Sequence, residues 1–545
     1  MIPVIPLPSR TTSSTQQGQH LEQGSTVTTS HDDLRGIAER FIVDVASDTG
    51  LELARGGGST SGDIHLVLAP GTPAVGAPPL GLSPRGGEPG DESHRIVIAA
   101  EGTVIEAAEA VGMLRGLATL RQLISAGLGP GATAWLEAAT IEDAPRFAWR
   151  GLSLDVVRCF FAPEDVRRVL DVMALLKMNV LHLHLTDDQG WRIEIPGWPE
   201  LTAVGGVGAV GDRPGGSYSQ SELAALVTYA DERGITIVPE IDMPGHCGAA
   251  LRARPELAAQ AGASLLDPDH VGVLTFVRDV IAAMAEATPG PYLHLGGDEA
   301  FGMAPDAYGR FIDAARGIAL ELGVAPIFWQ ESARSSIGPG DIVQHWMALD
   351  PSLEALLLDG DLDDLAQSAP RDLGIPPSML AAVAEMFRAA QGDIDRATEA
   401  GATVILSPAS HLYLDRPYAE APADPSQTAL QERLGLKVYP RRSVAEAYDW
   451  DPAASLEGGP SAIAGIEAAI WCETISSIDE LEFLLLPRLA GVAERAWSTD
   501  PSSTWSEYRG RLGAQAPLWR RRGWRFFTSS LVAWSNAPEA ADRLG

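Results

Sequence analysis

Cysteine is scarce in this 545-residue chain: Cys159, Cys247 and Cys472 are far apart and odd in number. That excludes a disulfide framework and a paired-cysteine metal site, and it fits a reducing compartment. Basic residues are short as well, with 40 Lys and Arg against 72 Asp and Glu and a formal charge of −32. Such a surface repels phosphate backbones and anionic lipid, so neither nucleic acid nor a membrane is an expected partner. No apolar run approaches the ~20 residues of a membrane span. The segment Met1 to Gly24 is rich in Ser, Thr and Gln, without the basic start and apolar stretch of a signal peptide. Residues 1–32 therefore read as a disordered leader, and the protein as cytoplasmic.

The chain is too long for one core, so at least two domains are expected. Residues 33–142 read as a small α+β domain, with strand-like Asp63–Leu68 and His94–Ile98. A helix follows over Ala107–Ala126, where Val111, Leu114, Leu117, Leu120 and Ile124 recur at helical spacing. Gly71 to Gly90 is a Gly/Pro-rich loop. From Arg150 onward short apolar strands alternate with amphipathic helices, the pattern of a parallel sheet covered by helices. Ser219-Gln-Ser-Glu222 has the form of a capping box, an apolar face of Leu223, Leu226, Val227 and Ala230 follows, and Gly234 ends the helix.

Eight strands are predicted: Gly151–Val156, Val180–Leu185, Ile235–Ile241, Tyr292–Leu295, Pro326–Trp329, Ile342–Trp346, Thr403–Leu406 and Ala462–Ile470. They give an α/β fold, a (β/α)8 TIM barrel over 143–500 preceded by the small α+β domain. An insertion at about 350–393 carries a helical run from Pro377 to Gln391, and 501–545 reads as a helical extension packed on the barrel. In this architecture chemistry sits at the carboxyl ends of the strands.

Tyr292-Leu-His-Leu-Gly-Gly-Asp-Glu299 ends a strand with two glycines and two adjacent carboxylates. Asp298 and Glu299 cannot point the same way from an extended segment, and neighbouring carboxylates in a partly dry pocket have their pKa values pushed apart. The competing reading of an Asp-Glu pair is a helix N-terminus, where acids complement the dipole. His182, His184 and His246 could suggest zinc, but no third ligand falls at metal-site spacing, so neither metal nor cofactor is assigned. Trp149, Trp191 and Trp497 read as core.

His294-Leu-Gly-Gly-Asp-Glu299 resembles the catalytic motif of glycoside hydrolase family 20, the β-N-acetylhexosaminidases. Arg150-Gly-Leu-Ser-Leu-Asp155 with Arg158, His182 to Arg192, Pro239 to His246, Ser407 to Asp415 and Gly465 to Glu473 are each similar to a family block, in family order. The resemblance implies an exo-acting retaining enzyme whose substrate supplies the nucleophile, its own acetamido group. Glu299 would be the acid and then the base, Asp298 would hold the acetamido N–H, and Tyr413 would hold the acetamido oxygen. It further implies that Trp329, Trp346 and Trp471 wall the acetamido pocket. Arg150, Asp415 and Glu473 would bind the hydroxyls at its closed end, and Asp188 would pair with His246 near the acid. Asp155, Arg158, Asp187 and Asp242 read as structural. The expected partners are N-acetylhexosamine-terminated oligosaccharides or glycoconjugates. One departure touches the leaving-group side, where Val438 and Tyr439 stand in a stretch that carries tryptophan in bacterial relatives. Two rival readings remain: a variant releasing disaccharides, and a non-catalytic sugar-binding protein on the same scaffold.

Overall fold

The alternation that begins at Arg150 closes into a barrel of eight parallel strands: β1 (Arg150–Asp155), β2 (Val180–His184), β3 (Thr236–Glu240), β4 (Tyr292–His294), β5 (Ala325–Trp329), β6 (Ile342–His345), β7 (Thr403–Leu406) and β8 (Ile463–Ile470). β8 pairs back with β1, Arg150 opposite Ile466. This is a computed structural model that describes residues 2–56, 63–71, 76–260, 264–288, 290–348, 377–454, 456, 459–500 and 503–536. The eight expected strands are all present, with ends within a residue or two of the predicted ones. The Ser219 capping box is formed and starts a helix over Gln220–Asp231. No helix among the described residues is long and apolar enough to cross a membrane.

Side chains alternate along a strand, so residues two apart share a face. Val180, Val238, Tyr292, Ile327, Ile342 and Ile405 pack together with Trp149 in one apolar cluster inside the barrel. Two residues further along five of these strands, the same face carries His182, Glu240, His294, Trp329 and Gln344, a buried polar layer. Two carboxylates tie this layer together: Glu240 accepts from Trp329 Nε1 at 2.8 Å and pairs with His184 and His294. Glu467 accepts from Trp149 Nε1 at 3.0 Å and Gln344 Nε2 at 3.0 Å, and lies 2.8 Å from His182 Nδ1. Burial alone would lower the pKa of His182, but the Glu240 and Glu467 carboxylates outweigh it and push it up to about 9.

Ahead of the barrel stands a seven-stranded sheet in the order Arg10–Ser13, Ala139–Asp143, His94–Ala99, Gly102–Ala107, Ile64–Leu68, Thr26–Thr29 and Ala54–Arg55. Helices Arg35–Thr49 and Ala110–Ala126 pack on it around a core of its own. The expected disordered leader is corrected here. Arg10–Ser13 pairs antiparallel with Ala139–Asp143, Gln19–Leu21 pairs with Thr133–Leu136, and Thr26–Thr29 runs parallel to Ile64–Leu68. Val4, Ile5, Leu21 and Val27 are fully buried. Ser/Thr-rich composition read as disorder, yet β-branched residues suit strands, and an edge of an existing sheet supplies the hydrogen bonds that the segment cannot make alone.

At the barrel floor the two parts are joined by buried charges. Arg150 and Arg115 both donate to Glu92 Oε2 at 2.6 Å. Lys177 Nζ meets Asp143 Oδ2 at 2.6 Å, and Trp497 Nε1 donates to the other oxygen at 3.0 Å. After the barrel come helices Trp505–Gly513 and Ala516–Arg521, which bury Tyr508, Leu512, Leu518 and Trp519. This extension reaches beyond the barrel to the small domain as well: Arg522 Nη2 lies 2.8 Å from Asp171, and Nη1 lies 3.6 Å from Asp44 of the Arg35–Thr49 helix. The predicted insertion falls outside the described residues over 350–376, and its helical run appears as a helix over Pro377–Ala390. Trp149, Trp191 and Trp497 are core, at most 2% exposed.

Candidate active site

The Gly-Gly-Asp-Glu turn after β4 is forced by what lies beneath it. Gly296 and Gly297 take φ of +68° and +101°, and a Cβ on Gly296 would stand 1.7 Å from Asp242 Oδ1. That oxygen instead accepts the Gly297 N–H at 3.1 Å. A side chain at Gly296 would push the turn off Asp242 and move Asp298 with it, and one at Gly297 would be strained by its positive φ. Glu299 and His246 also have positive φ, 47° and 51°, although neither is glycine. Such strain persists where the surrounding fold over-determines it, and here both strained residues face one another.

His246 Nε2 lies 3.7 Å from Asp298 Oδ2 and 3.5 Å from Glu299 Oε2, so one imidazole faces both carboxylates. Its other nitrogen lies 3.1 Å from Asp187 Oδ1. Burial would lower the His246 pKa, but Asp187, Asp298 and Asp242 outweigh it and hold the ring as imidazolium. Burial raises the Asp298 carboxyl to about 6, with Glu299 and Glu240 adding to it and His246 opposing. Asp298 Oδ1 is buried without a hydrogen-bond partner.

Trp329, Trp346 and Tyr413 are 1%, 7% and 3% exposed and cluster with Ala409 and Ala469, while Trp471 packs against them half-buried. Trp346 and Tyr413 lie parallel within 4°, centroids 6.4 Å apart, and Trp471 meets Tyr413 edge-on at 5.9 Å. The Tyr413 phenol is pushed well up by burial, then by Tyr439, Asp298 and Asp415, which ties the aromatic cluster to the acid pair. At the far side Asp415 is fully buried with both oxygens unpartnered, and Glu473 Oε2 is unpartnered too. Burial and then Glu473 raise Asp415 to about 8.

Two sequence expectations fail. Arg150 is the first residue of β1, at the amino end of the barrel, roughly 17 Å of strand from the carboxyl ends. It is fully buried, donating to Glu92 and to the Lys177 and Phe147 carbonyls, and it cannot reach a sugar. The arginine at the site is Arg158, just past β1, with Nη2 2.6 Å from Asp187 Oδ2 and its guanidinium 5.4 Å from the centre of the Trp471 ring. The fields of Glu473 and Glu299 both act on it. Asp188 fails as the partner of His246, because it accepts the Gly248 N–H at 2.9 Å; Asp187 takes that place, bonded in turn to His184 Nε2 at 2.9 Å. In a loop, neighbouring carboxylates cannot be told apart by order alone. Asp155 is structural as expected, accepting the N–H groups of Val157, Arg158 and Cys472. Asp242 and Asp187 are more than scaffold, since they touch the acid turn and the imidazole.

The expectation that the histidines lack a third ligand is also corrected. His182, Glu240 and His294 bring ligand atoms within 4.8 Å of one another, as do Asp242, His246 and Asp298. Glu240, His294 and Asp298 come from neighbouring strands, which linear spacing hides, while Asp242 shares the loop of His246.

An eight-stranded barrel with paired acids and an aromatic cluster at its carboxyl end fits a glycoside hydrolase. The model of glycosyl hydrolase family 20, catalytic domain, matches residues 147–308 and 378–500, and that of the family's domain 2 matches residues 1–144. A β-N-acetylhexosaminidase of Cellulomonas fimi is 37% identical over 83% of this chain and 84% of its own. The β-N-acetylhexosaminidase of Streptomyces coelicolor A3(2) is 33% identical with a TM-score of 0.79, covering 98% of this chain and 99% of that one. A mutant Streptomyces plicatus β-hexosaminidase, solved in complex with its product GlcNAc, is 34% identical with a TM-score of 0.79 over 98% of both chains. The chain belongs to glycosyl hydrolase family 20.

The exchange of arginines is testable by kinetics beside stability. Arg158→Ala is expected to lower kcat/KM about 10–100-fold, the worth of charge-assisted hydrogen bonds to a sugar. Arg150→Met leaves Glu92 with Arg115 as its remaining cation but strips the Lys177 and Phe147 carbonyls of their donor, so it is expected to cost about 1–3 kcal/mol in urea unfolding with kcat/KM of the folded enzyme unchanged. Equal kinetic losses from the two would restore Arg150 to the site.

Proposed function

We propose that this chain is an exo-acting retaining β-N-acetylhexosaminidase that removes terminal β-linked N-acetylglucosamine or N-acetylgalactosamine with the help of the substrate's acetamido group. The carrying observation is the single His246 imidazolium facing two adjacent carboxylates, Asp298 beside the aromatic cluster and Glu299 more exposed. Most retaining glycosidases use a second carboxylate as nucleophile, about 5–5.5 Å from the first, whereas this family is served by its substrate. In the proposed step the acetamido oxygen attacks C1 as the glycosidic C–O bond breaks, and Glu299 passes its proton to the departing oxygen. Asp298 accepts the acetamido N–H and stabilises the charge of the oxazolinium ion, while Tyr413 holds the acetamido oxygen in line. Glu299, now a carboxylate, then takes a proton from water attacking C1, and the ring reopens with net retention.

Arg158 offers its charge, and Asp415 and Glu473 their unpartnered oxygens, to the hydroxyls of one terminal sugar, which favours single-sugar over disaccharide release. The purified protein is expected to liberate the hexosamine from an aryl N-acetyl-β-glucosaminide, with the β-anomer formed first by NMR, and to be inhibited by a thiazoline mimic of the intermediate. Release of neither hexosamine would end this reading, and release of an intact disaccharide would favour its first rival.

A further inference from the structure

Trp346 is held unequally on its different sides. Its backbone N–H and that of Met347 donate to Gln330 Oε1 at 3.0 and 2.9 Å. Its indole N–H donates to Glu331 Oε2 at 3.2 Å. Gln330 and Glu331 are 1% and 3% exposed, in the short helical turn after β5, so directional bonds from a buried segment fix the polar edge of the ring. The rest of the indole is met by packing. Phe387 stands edge-to-face to it, with centroids 6.1 Å apart at 65°, and Met386 lies buried in the same cluster as Trp346, Trp329 and Tyr413. Both belong to the helix Pro377–Ala390, which the chain places between β6 and β7 and which is no part of the barrel wall.

We propose that Phe387, backed by Met386, determines how large a 2-acylamino group the pocket accepts, by limiting how far the Trp346 indole can yield. This rests on the reading of Trp346 as a wall of the acyl pocket. Hydrogen bonds to Gln330 and Glu331 leave the indole a hinge at its bonded edge, and among the described residues the ring's other contacts, Tyr413 and Phe387 among them, are packing contacts. Such contact is non-directional, and methionine is a compliant filler, so the wall's stiffness depends on the bulk of the phenyl ring. One methylene in an apolar pocket changes discrimination by about 10–200-fold, so a yielding wall is read out in the ratio between acyl chains. Phe387 is a positioning residue in this account, acting through Trp346.

The test is kcat/KM for 4-methylumbelliferyl β-glucosaminides bearing N-acetyl, N-propionyl and N-butanoyl groups, on the wild-type enzyme, Phe387→Ala and Phe387→Leu. Phe387→Ala is expected to raise the propionyl-to-acetyl and butanoyl-to-acetyl ratios about tenfold, and Phe387→Leu to raise them less. A ratio within one preparation is unaffected by the fraction that is folded, and Phe387→Leu keeps the measurement available if the alanine variant does not accumulate. Ratios unchanged or lowered in the variants overturn the proposal. Failure of the wild-type enzyme on the N-acetyl substrate would instead overturn the proposed function.

Discussion

Asp298→Asn is expected to lower kcat on N-acetylated substrates by about 10²–10³-fold, the range seen when one preorganised group facing transition-state charge is removed. The asparagine keeps the shape and the contact to the turn but loses the charge opposite the oxazolinium ion. The same substitution is expected to stabilise the protein at neutral pH. Burial, Glu299 and Glu240 raise the Asp298 carboxyl from 3.8 to about 6 in spite of His246. Between those two values the folded state binds more protons than the unfolded chain, so stability falls as pH rises through that window, and above it the whole penalty is present. Asparagine has no such penalty. The Tm of the variant should therefore exceed that of the wild type at pH 7–8, with the gap closing towards pH 4, and wild-type kcat/KM should decline as pH falls below about 6, where Asp298 protonates. A pH-independent Tm difference, or a variant with near-normal kcat, would remove Asp298 from this role.

Glu299→Gln should behave differently. Loss of a general acid costs about 10²–10⁴-fold where the departing oxygen needs a proton, as with an alkyl or sugar leaving group. A dinitrophenolate leaves unaided, so its formation should be far less affected, and a plot of log kcat/KM against leaving-group pKa should steepen in the variant. Parallel plots for variant and wild type would mean that another residue donates the proton. Asp298→Asn, acting on the nucleophile, should shift that plot down without the same change of slope. The two profiles separate the roles of residues that are neighbours in sequence.

Much of this was legible in the sequence because periodicity reports burial directly. The eight strands and the Gln220–Asp231 helix followed from apolar spacing and from Ser219 and Glu222. Asp298, Glu299, Tyr413, Asp415, Glu473, Trp346 and Trp471 stand after strands and Trp329 ends one, all at the carboxyl end of the barrel. The same rule already excluded Arg150, which opens its strand, and pointed to Arg158, which follows it; the motif match drew attention to the wrong arginine. Asp187 and Asp188 could not be separated, because a loop has no period to say which side chain turns inward. The strands Arg10–Ser13 and Gln19–Leu21 were hidden because their stability comes from Ala139–Asp143 and Thr133–Leu136, more than a hundred positions away. Phe387 had no local signal at all, since its partner Trp346 lies forty-one positions before it across the 349–376 segment, which is outside the described residues.

The arginine misplaced by the motif has a use of its own. Arg150 and Lys177 belong to the catalytic half, while the carboxylates that neutralise them, Glu92 and Asp143, belong to the half that precedes it. Cutting the chain near residue 147 would orphan two cations in an apolar interior, where an unpaired charge is ruinous. The hydrolytic barrel is therefore not a portable cassette: a shortened enzyme, or a fusion built from it, has to carry its companion sheet along.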